Sequence, residues 1–226
     1  MVVGANRWET MVKLNLIVEG GVLTGDVSAE TANNAEALRE SLHKFFTRLL
    51  GREDVEITIF MGAGYRNAAK QFIENQTPIA LFVDSDLPSE NKHLWFNNLI
   101  NNEHPERSIV IPDDKKDSVF FMIQEMEAWF LKQLSCLDEW ALKEGYTRKD
   151  TTNIADHSVL KNKNIEDISK PSQELGVILK HYFIKNNKSA KYGKLKTAPA
   201  LLDALKTSAL KPLDNELQRF CQFINN

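Results

Sequence analysis

The chain has 226 residues, of which 42% are apolar and 26% charged, with only 10 Gly and 7 Pro. Those proportions suit one α/β domain with an extension and exclude a disordered, collagen-like or linker-like chain. No run approaches the roughly 20 apolar residues of a membrane span, and the start lacks a basic segment followed by a long apolar one, so neither a signal peptide nor a membrane partner is expected.

Residues 1–10 read as a flexible N-terminal extension, because Met11 is a second plausible start just before the first apolar run. Residues 12–18, VKLNLIV, read as a buried strand stopped by Glu19-Gly20-Gly21. Residues 22–33 are small and polar and read as a loop. Ala35, Leu38, Leu42, Phe45 and Leu49 recur at helical spacing, which predicts a helix over 34–50 ended by Gly51. A strand at 55–60, a Gly62-Ala63-Gly64 turn and a helix at 65–75 follow. Residues 79–83, IALFV, form a continuous apolar run, as in a strand covered on both faces. A helix at 90–101, strands at 108–111 and 118–123, and a helix from Glu125 to Leu134 complete an alternating pattern. Such alternation predicts an α/β fold, a mostly parallel sheet with flanking helices. Beyond residue 136 the pattern is helical, with a polar loop over 147–170 and helices at 172–184, 199–206 and 213–224. The expected division is therefore an α/β core over 11–135 and a mainly helical C-terminal part over 136–226 packed on it.

Net charge is −3, which by itself points to no nucleic acid. Its distribution says more. Between Glu174 and Asp203 there is no acidic residue but six lysines, 180, 185, 188, 191, 194 and 196, so that segment carries +6 and the remainder −9. Tyr182, Phe183 and Tyr192 interleave with these lysines. The pattern fits phosphate contact with base stacking, or simply a solvated basic surface. Cys136 and Cys221 form no CxxC pair, and the five histidines are scattered, so neither a zinc site nor a disulfide framework is expected. Cytoplasmic residence is the default expectation.

Three acidic positions follow strands, where open α/β sheets bind ligands. Glu19 precedes two glycines and reads as a metal ligand or a turn cap. Asp84 and Asp86 follow the most apolar strand; in extended chain, i and i+2 point the same way, so the two would share a cation or else form an Asx turn before Pro88. Glu125 and Glu127 open a helix, where negative charge is favourable in itself, and they cannot both face one ion. Gly62-Ala63-Gly64-Tyr65-Arg66-Asn67 lacks the third glycine of a dinucleotide fingerprint, and there is no GxxxxGK[ST], so this chain is not itself a P-loop ATPase.

LNLIVEGG, a run ending ALFVDSD, and a strand leading into MIQEMEAWFL together resemble the TOPRIM fold of topoisomerases, primases and OLD-type nucleases. The likeness extends to a TOPRIM-like bacterial family related to the RloB proteins. Its boxes are matched by Val18-Glu19-Gly20, Gly62 to Arg66, Val83 to Asp86, Met126-Glu127-Ala128-Trp129, and Tyr192 with Lys194. The resemblance implies a Mg²⁺- or Mn²⁺-dependent nuclease acting on DNA or RNA. Glu19, Asp84, Asp86 and, of the two glutamates, Glu127 would hold metal. Glu19 with Lys194 or Lys196 would be catalytic, and Arg66, Lys188, Lys191 and Lys194 would meet phosphates. It also implies an anti-phage effector working with a separately encoded ATPase subunit. The alternative is a non-catalytic interaction subunit that keeps the TOPRIM shell.

Overall fold

The computed structural model describes residues 11–21, 27–75 and 79–225; the expected extension over 1–10 and part of the loop over 22–33 lie outside them. Strands β1 (Val12–Val18), β2 (Val55–Met61), β3 (Ile79–Asp84) and β4 (Val119–Met122) form an all-parallel sheet in the order β2-β1-β3-β4. Helix α1 (Ala29–Leu50) joins β1 to β2, and α2 (Tyr65–Glu74) joins β2 to β3. The two connections run in opposite directions across the sheet. Right-handed crossovers therefore place the two helices on opposite faces.

The apolar sorting agrees. Leu14, Leu16 and Val18 of β1 pack with Leu38, Leu42, Phe45 and Phe46 of α1, whereas Ile17, Leu81 and Val83 pack with Ala68, Ala69 and Phe72 of α2. All six residues of β3 are buried, which explains its unbroken apolar run. Helix α1 starts at Ala29, ahead of the expected 34, because the Ser28 hydroxyl caps it by accepting from the Thr31 amide. Gly62 is fixed by packing: a Cβ there would lie 2.4 Å from that of Ala68.

Several expected elements differ. Residues 89–99 form a 3-10 helix, not an α-helix. That stretch is rich in Asn, whose side chain competes for backbone hydrogen bonds, and it buries only Trp95 and Leu99. Residues 108–111 alternate like a strand, with Ile109 and Ile111 buried and Val110 exposed, but among the described residues they pair with no strand; the Ile109 amide donates instead to the Leu99 carbonyl at 3.0 Å. The outer edge of β4 is already closed. The Phe121 amide donates to Glu216 Oε2 at 3.0 Å, and Arg219 Nη2 donates to the Val119 carbonyl. A short helix α3 (Asp113–Lys116) precedes β4, and the expected helix from Glu125 breaks at Gln133 into α4 (Ala128–Lys132) and α5 (Ser135–Glu144).

The C-terminal part contains α6 (Pro171–Tyr182), α7 (Lys194–Ala204), α8 (Thr207–Leu210) and α9 (Asn215–Asn225). It also holds an unexpected antiparallel sheet of β5 (Thr147–Arg148), β6 (Phe183–Lys185) and β7 (Lys188–Ser189). Within the 147–170 loop, Asn153 and Asn164 cap single 3-10 turns, and Ile154, Leu160 and Ile168 are buried. One apolar cluster runs from Leu14 through Phe46 and Trp129 to Leu201 and Phe220, so the C-terminal helices complete the core on the α1 face. Among the described residues, no helix is long and apolar enough to cross a membrane.

Candidate active site at the switch point of the sheet

In a parallel sheet of order β2-β1-β3-β4, the chain direction reverses between β1 and β3. The crevice beyond the carboxyl ends of those two strands is where such sheets bind ligands. Glu19 and Asp84 stand at those ends. Gly20 and Gly21 have φ of +124° and +78°, a region that favours glycine, and they turn the chain away directly after Glu19. Glu19 Oε2 accepts from the Asp84 amide at 3.1 Å, and the Glu19 amide donates to the Phe82 carbonyl at 2.7 Å.

Asp84 is buried. Its Oδ1 accepts from the Met126 amide at 2.9 Å, and its Oδ2 from Lys194 Nζ at 2.9 Å. Glu127, just before α4, is fully buried. Its Oε1 accepts from the Tyr192 hydroxyl, while its Oε2 has no hydrogen-bond partner among the described residues. Residues Tyr192 to Lys194 thus bring one hydroxyl and one ammonium to three carboxylates supplied by the ends of β1 and β3 and the start of α4.

The electrostatics follow from this crowding. Burial, then Asp84 beside it, pushes the Glu19 carboxyl up to about 7, against the pull of Lys194. Burial also raises Asp84 and Glu127, again opposed by Lys194. Burial alone would lower Lys194, but Asp84, Glu127 and Glu19 outweigh it and hold the ammonium charged. Burial and the Glu127 charge raise the Tyr192 phenol, which keeps it protonated as a donor.

Asp84 and Asp86 do not project together as expected. Strand β3 ends at Asp84, and Asp86 takes a left-handed φ of 51°, so the two-residue repeat of extended chain no longer applies. The turn is held from β4: the Ser85 amide donates to the Met122 carbonyl at 3.0 Å and the Asp86 amide to the Gln124 carbonyl at 2.9 Å. Asp86 is exposed and pairs with Lys170 at 3.3 Å. Glu125 stands at the edge of the cluster, near enough for its charge to act on Asp84, but its carboxylate accepts from the Ser172 amide at 2.7 Å, capping the first turn of α6.

Other expected residues are dispersed. Arg66 donates to the carbonyls of Asn98, Leu99 and Arg107, which ties α2 to the 3-10 helix and the segment after it instead of to the carboxylates. Lys196 pairs with Glu30 at 2.6 Å on the surface. Lys188 and Lys191 are exposed, whereas Tyr182 and Phe183 are core residues and offer no ring for stacking. Lys170 and the capping role of Glu125 had no signal in the sequence; both depend on where α6 docks.

A cleft of about 340 Å³ opens onto the cluster between Ser172–Gln173 of α6 and Tyr192–Lys194, with Glu125 and Glu127 in its lining. Another, of about 390 Å³, lies between α1 and α2 beside β2; Gly21 lines it, but none of these carboxylates does. Among the described residues, no three His, Cys, Asp or Glu side chains are grouped to hold a metal ion; the Lys194 ammonium lies among the acids instead. The donor chemistry nonetheless suits a hard divalent cation. Carboxylate oxygens are its preferred ligands, and Glu127 Oε2 is a buried acceptor without a donor.

No protein-family model, curated protein or solved structure matches this chain.

Proposed function

We propose that this chain is a Mg²⁺- or Mn²⁺-dependent nuclease whose centre is Glu19, Asp84, Glu127 and Lys194. The observation that carries the reading is the charge imbalance at the switch point. Three carboxylates surround one ammonium. Buried charge left uncompensated is costly and is relieved by protons or by a cation. A cluster kept only for stability would match its charges; one that gathers surplus acid at a ligand-binding crevice is suited to a divalent ion.

Glu19, Asp84 and Glu127 would hold that ion once Lys194 moves off Asp84, since as placed the three are not grouped around one position. When bound, a divalent cation activates water and neutralises phosphate oxygens. The chain's own groups do the rest. Tyr192 orients Glu127 by its hydroxyl bond and leaves the second oxygen available. Lys194, held charged by its neighbours, offers a positive charge to a phosphate oxygen in the cleft. Glu19, its carboxyl raised to about 7 without the ion, would give up its proton as the ion binds. The choice of a phosphodiester rests on the likeness to TOPRIM nucleases and on the basic stretch that supplies Lys194. A role as defence effector beside a separate ATPase subunit rests on that likeness alone.

One observation favours the second reading, a non-catalytic subunit: Lys194 already bonds Asp84, so the position of a cation is filled from within. Calorimetry with Mn²⁺, followed by cleavage assays on plasmid DNA and bulk tRNA, separates the two. Metal binding with cleavage that Asp84→Asn abolishes is the expected result. No metal binding and no cleavage, with a second protein co-purifying, overturns it.

A further inference from the structure

The two outer edges of the parallel sheet differ. On β4, four residues long, Glu216 and Arg219 engage the main-chain groups of Phe121 and Val119. The opposite edge is β2, seven residues long. Its register with β1 decides which of its groups face outward. The Val12 amide donates to the Asp54 carbonyl and the Gly62 amide to the Val18 carbonyl, both at 2.8 Å. Val12 is level with Val55, and Val18 with Met61. A parallel ladder of that phase turns the amides and carbonyls of Glu56, Thr58 and Phe60 toward β1. Those of Val55, Ile57, Ile59 and Met61 point away from the sheet, and among the described residues nothing bonds them.

An unpaired edge of that length is a template for another strand, and proteins ordinarily blunt it with Pro, Lys, a bulge or a covering element. The strand reads VEITIFM and pairs with β1 without a bulge. Its one charge is Glu56.

The side chains indicate which strand fits. Val55, Ile57 and Ile59 are buried on the α1 face, whereas Glu56, Thr58 and Phe60 are exposed on the other. An antiparallel second copy of β2 centred on Thr58 sets Val55 against Met61 and Ile57 against Ile59. Every outward amide and carbonyl then has a partner, and the α1 face of the seam is apolar throughout. On the other face Thr58 meets Thr58 and Glu56 meets Phe60. No like charges oppose, and a Thr–Thr pair is favourable across strands. A shift of two residues either way leaves one outward residue of each strand unmatched. The groove beside the edge agrees. Ala32 and Ala35 of α1 line it with Ile59, Phe60 and Met61. The two charges in its lining, Glu36 and Arg39, neutralise each other, with Arg39 Nε donating to Glu36 Oε2 at 2.8 Å.

We propose that two copies of this chain pair through β2, antiparallel about a twofold axis at Thr58, and join their four-stranded sheets into one. The inference concerns a surface and stands apart from the nuclease reading.

The test combines sedimentation velocity with amide hydrogen exchange by NMR over a dilution series. The wild-type chain should sediment as a dimer. In the dimer the Ile57 and Ile59 amides should be protected, and they should exchange freely once dilution yields monomer. Thr58 and Phe60, bonded to β1, should stay protected in both. Thr58→Lys and Thr58→Glu change an exposed side chain and put like charges across the axis. Each should weaken the dimer about five-fold, the upper end for one such pair, and an equimolar mixture of the two should restore it. A wild-type chain that is monomeric throughout overturns the proposal; protected Ile57 and Ile59 amides in that monomer would show that another part of the same chain covers the edge. A dimer in which those two amides exchange freely, or one that neither variant weakens, is formed elsewhere and overturns it too.

Discussion

Lys194 donates to Asp84 at 2.9 Å across 110 residues of sequence, and that bond joins the C-terminal helices to the end of the central strand. It brings the basic stretch and the acidic strand ends, which lie far apart in the chain, into one charge cluster.

Replacing Asp84 by Asn should reduce cleavage more than 100-fold, the scale of removing a group that stabilises transition-state charge. Stability should fall, because Asn has one acceptor oxygen where Asp84 has two and so must turn its NH2 group toward either Lys194 Nζ or the Met126 amide. Asp86→Asn should cost much less activity, since Asp86 is at the rim and pairs with exposed Lys170. Cleavage rates and thermal melts on the two variants decide this; equal losses of activity would place Asp86 inside the centre.

Stability in EDTA should fall as pH rises through about 7. The Glu19 carboxyl is raised in the folded chain from an ordinary value of 4.5 to about 7. The folded state therefore holds its proton more tightly than the unfolded state does. Its stabilising contribution is complete below pH 4.5 and lost as pH passes 7. Asp84 and Glu127, both raised, act in the same direction. Glu19→Gln should flatten the dependence of melting temperature on pH between about 4.5 and 7. Mn²⁺ should bind more tightly at pH 8 than at pH 6, because the ion competes with that proton.

Tyr192→Phe should destabilise the chain by about 1–3 kcal/mol, the penalty of a buried acceptor left without its donor. The Tyr192 hydroxyl serves Glu127 Oε1, and Oε2 already has no partner. The loss should shrink at low pH, where a protonated Glu127 no longer buries a charge. Denaturant melts over a pH series measure both parts, and a pH-independent loss would mean that the missing hydroxyl acts on packing alone.

Lys188→Glu with Lys191→Glu changes exposed charge without touching Lys194. If both lysines meet phosphate, the log–log salt slope for single-strand binding should flatten by about 0.7 for each phosphate no longer neutralised. Titrations from 50 to 200 mM salt supply the slope. An unchanged slope would make these two lysines solvated surface.

The strand β3 was legible because its run is apolar throughout and β1 because it is short and apolar apart from Lys13 and Asn15, and Glu19 and Asp84 because strand ends can be located once the strands are. The 108–111 segment misled for a physical reason: Ile109 and Ile111 alternate with Val110 as a strand would, yet side chains from α9 occupy the edge it needed. The pairing expected of Asp84 and Asp86 failed at one left-handed turn, a conformation that no composition or spacing specifies. The small β5-β6-β7 sheet has strands of two or three residues, too short for any periodicity. Glu127 could not be separated from Glu125 by position alone. What separates them is a tyrosine 65 residues away on one and the first turn of α6 on the other.

Glu216 and Arg219 close β4 from a distance, and this imposes an interval on the growing chain. Phe121 precedes Glu216 by 95 residues. At about 5–20 residues per second, a ribosome needs about 5 to 20 s to make that stretch. For all of that time β4 is synthesised but its outer edge has no partner, free to template another strand. Nascent chains on a crowded polysome should therefore be most prone to stick to one another in this interval, and slowing translation past residue 122 should lower the yield of folded protein more than slowing it before β3.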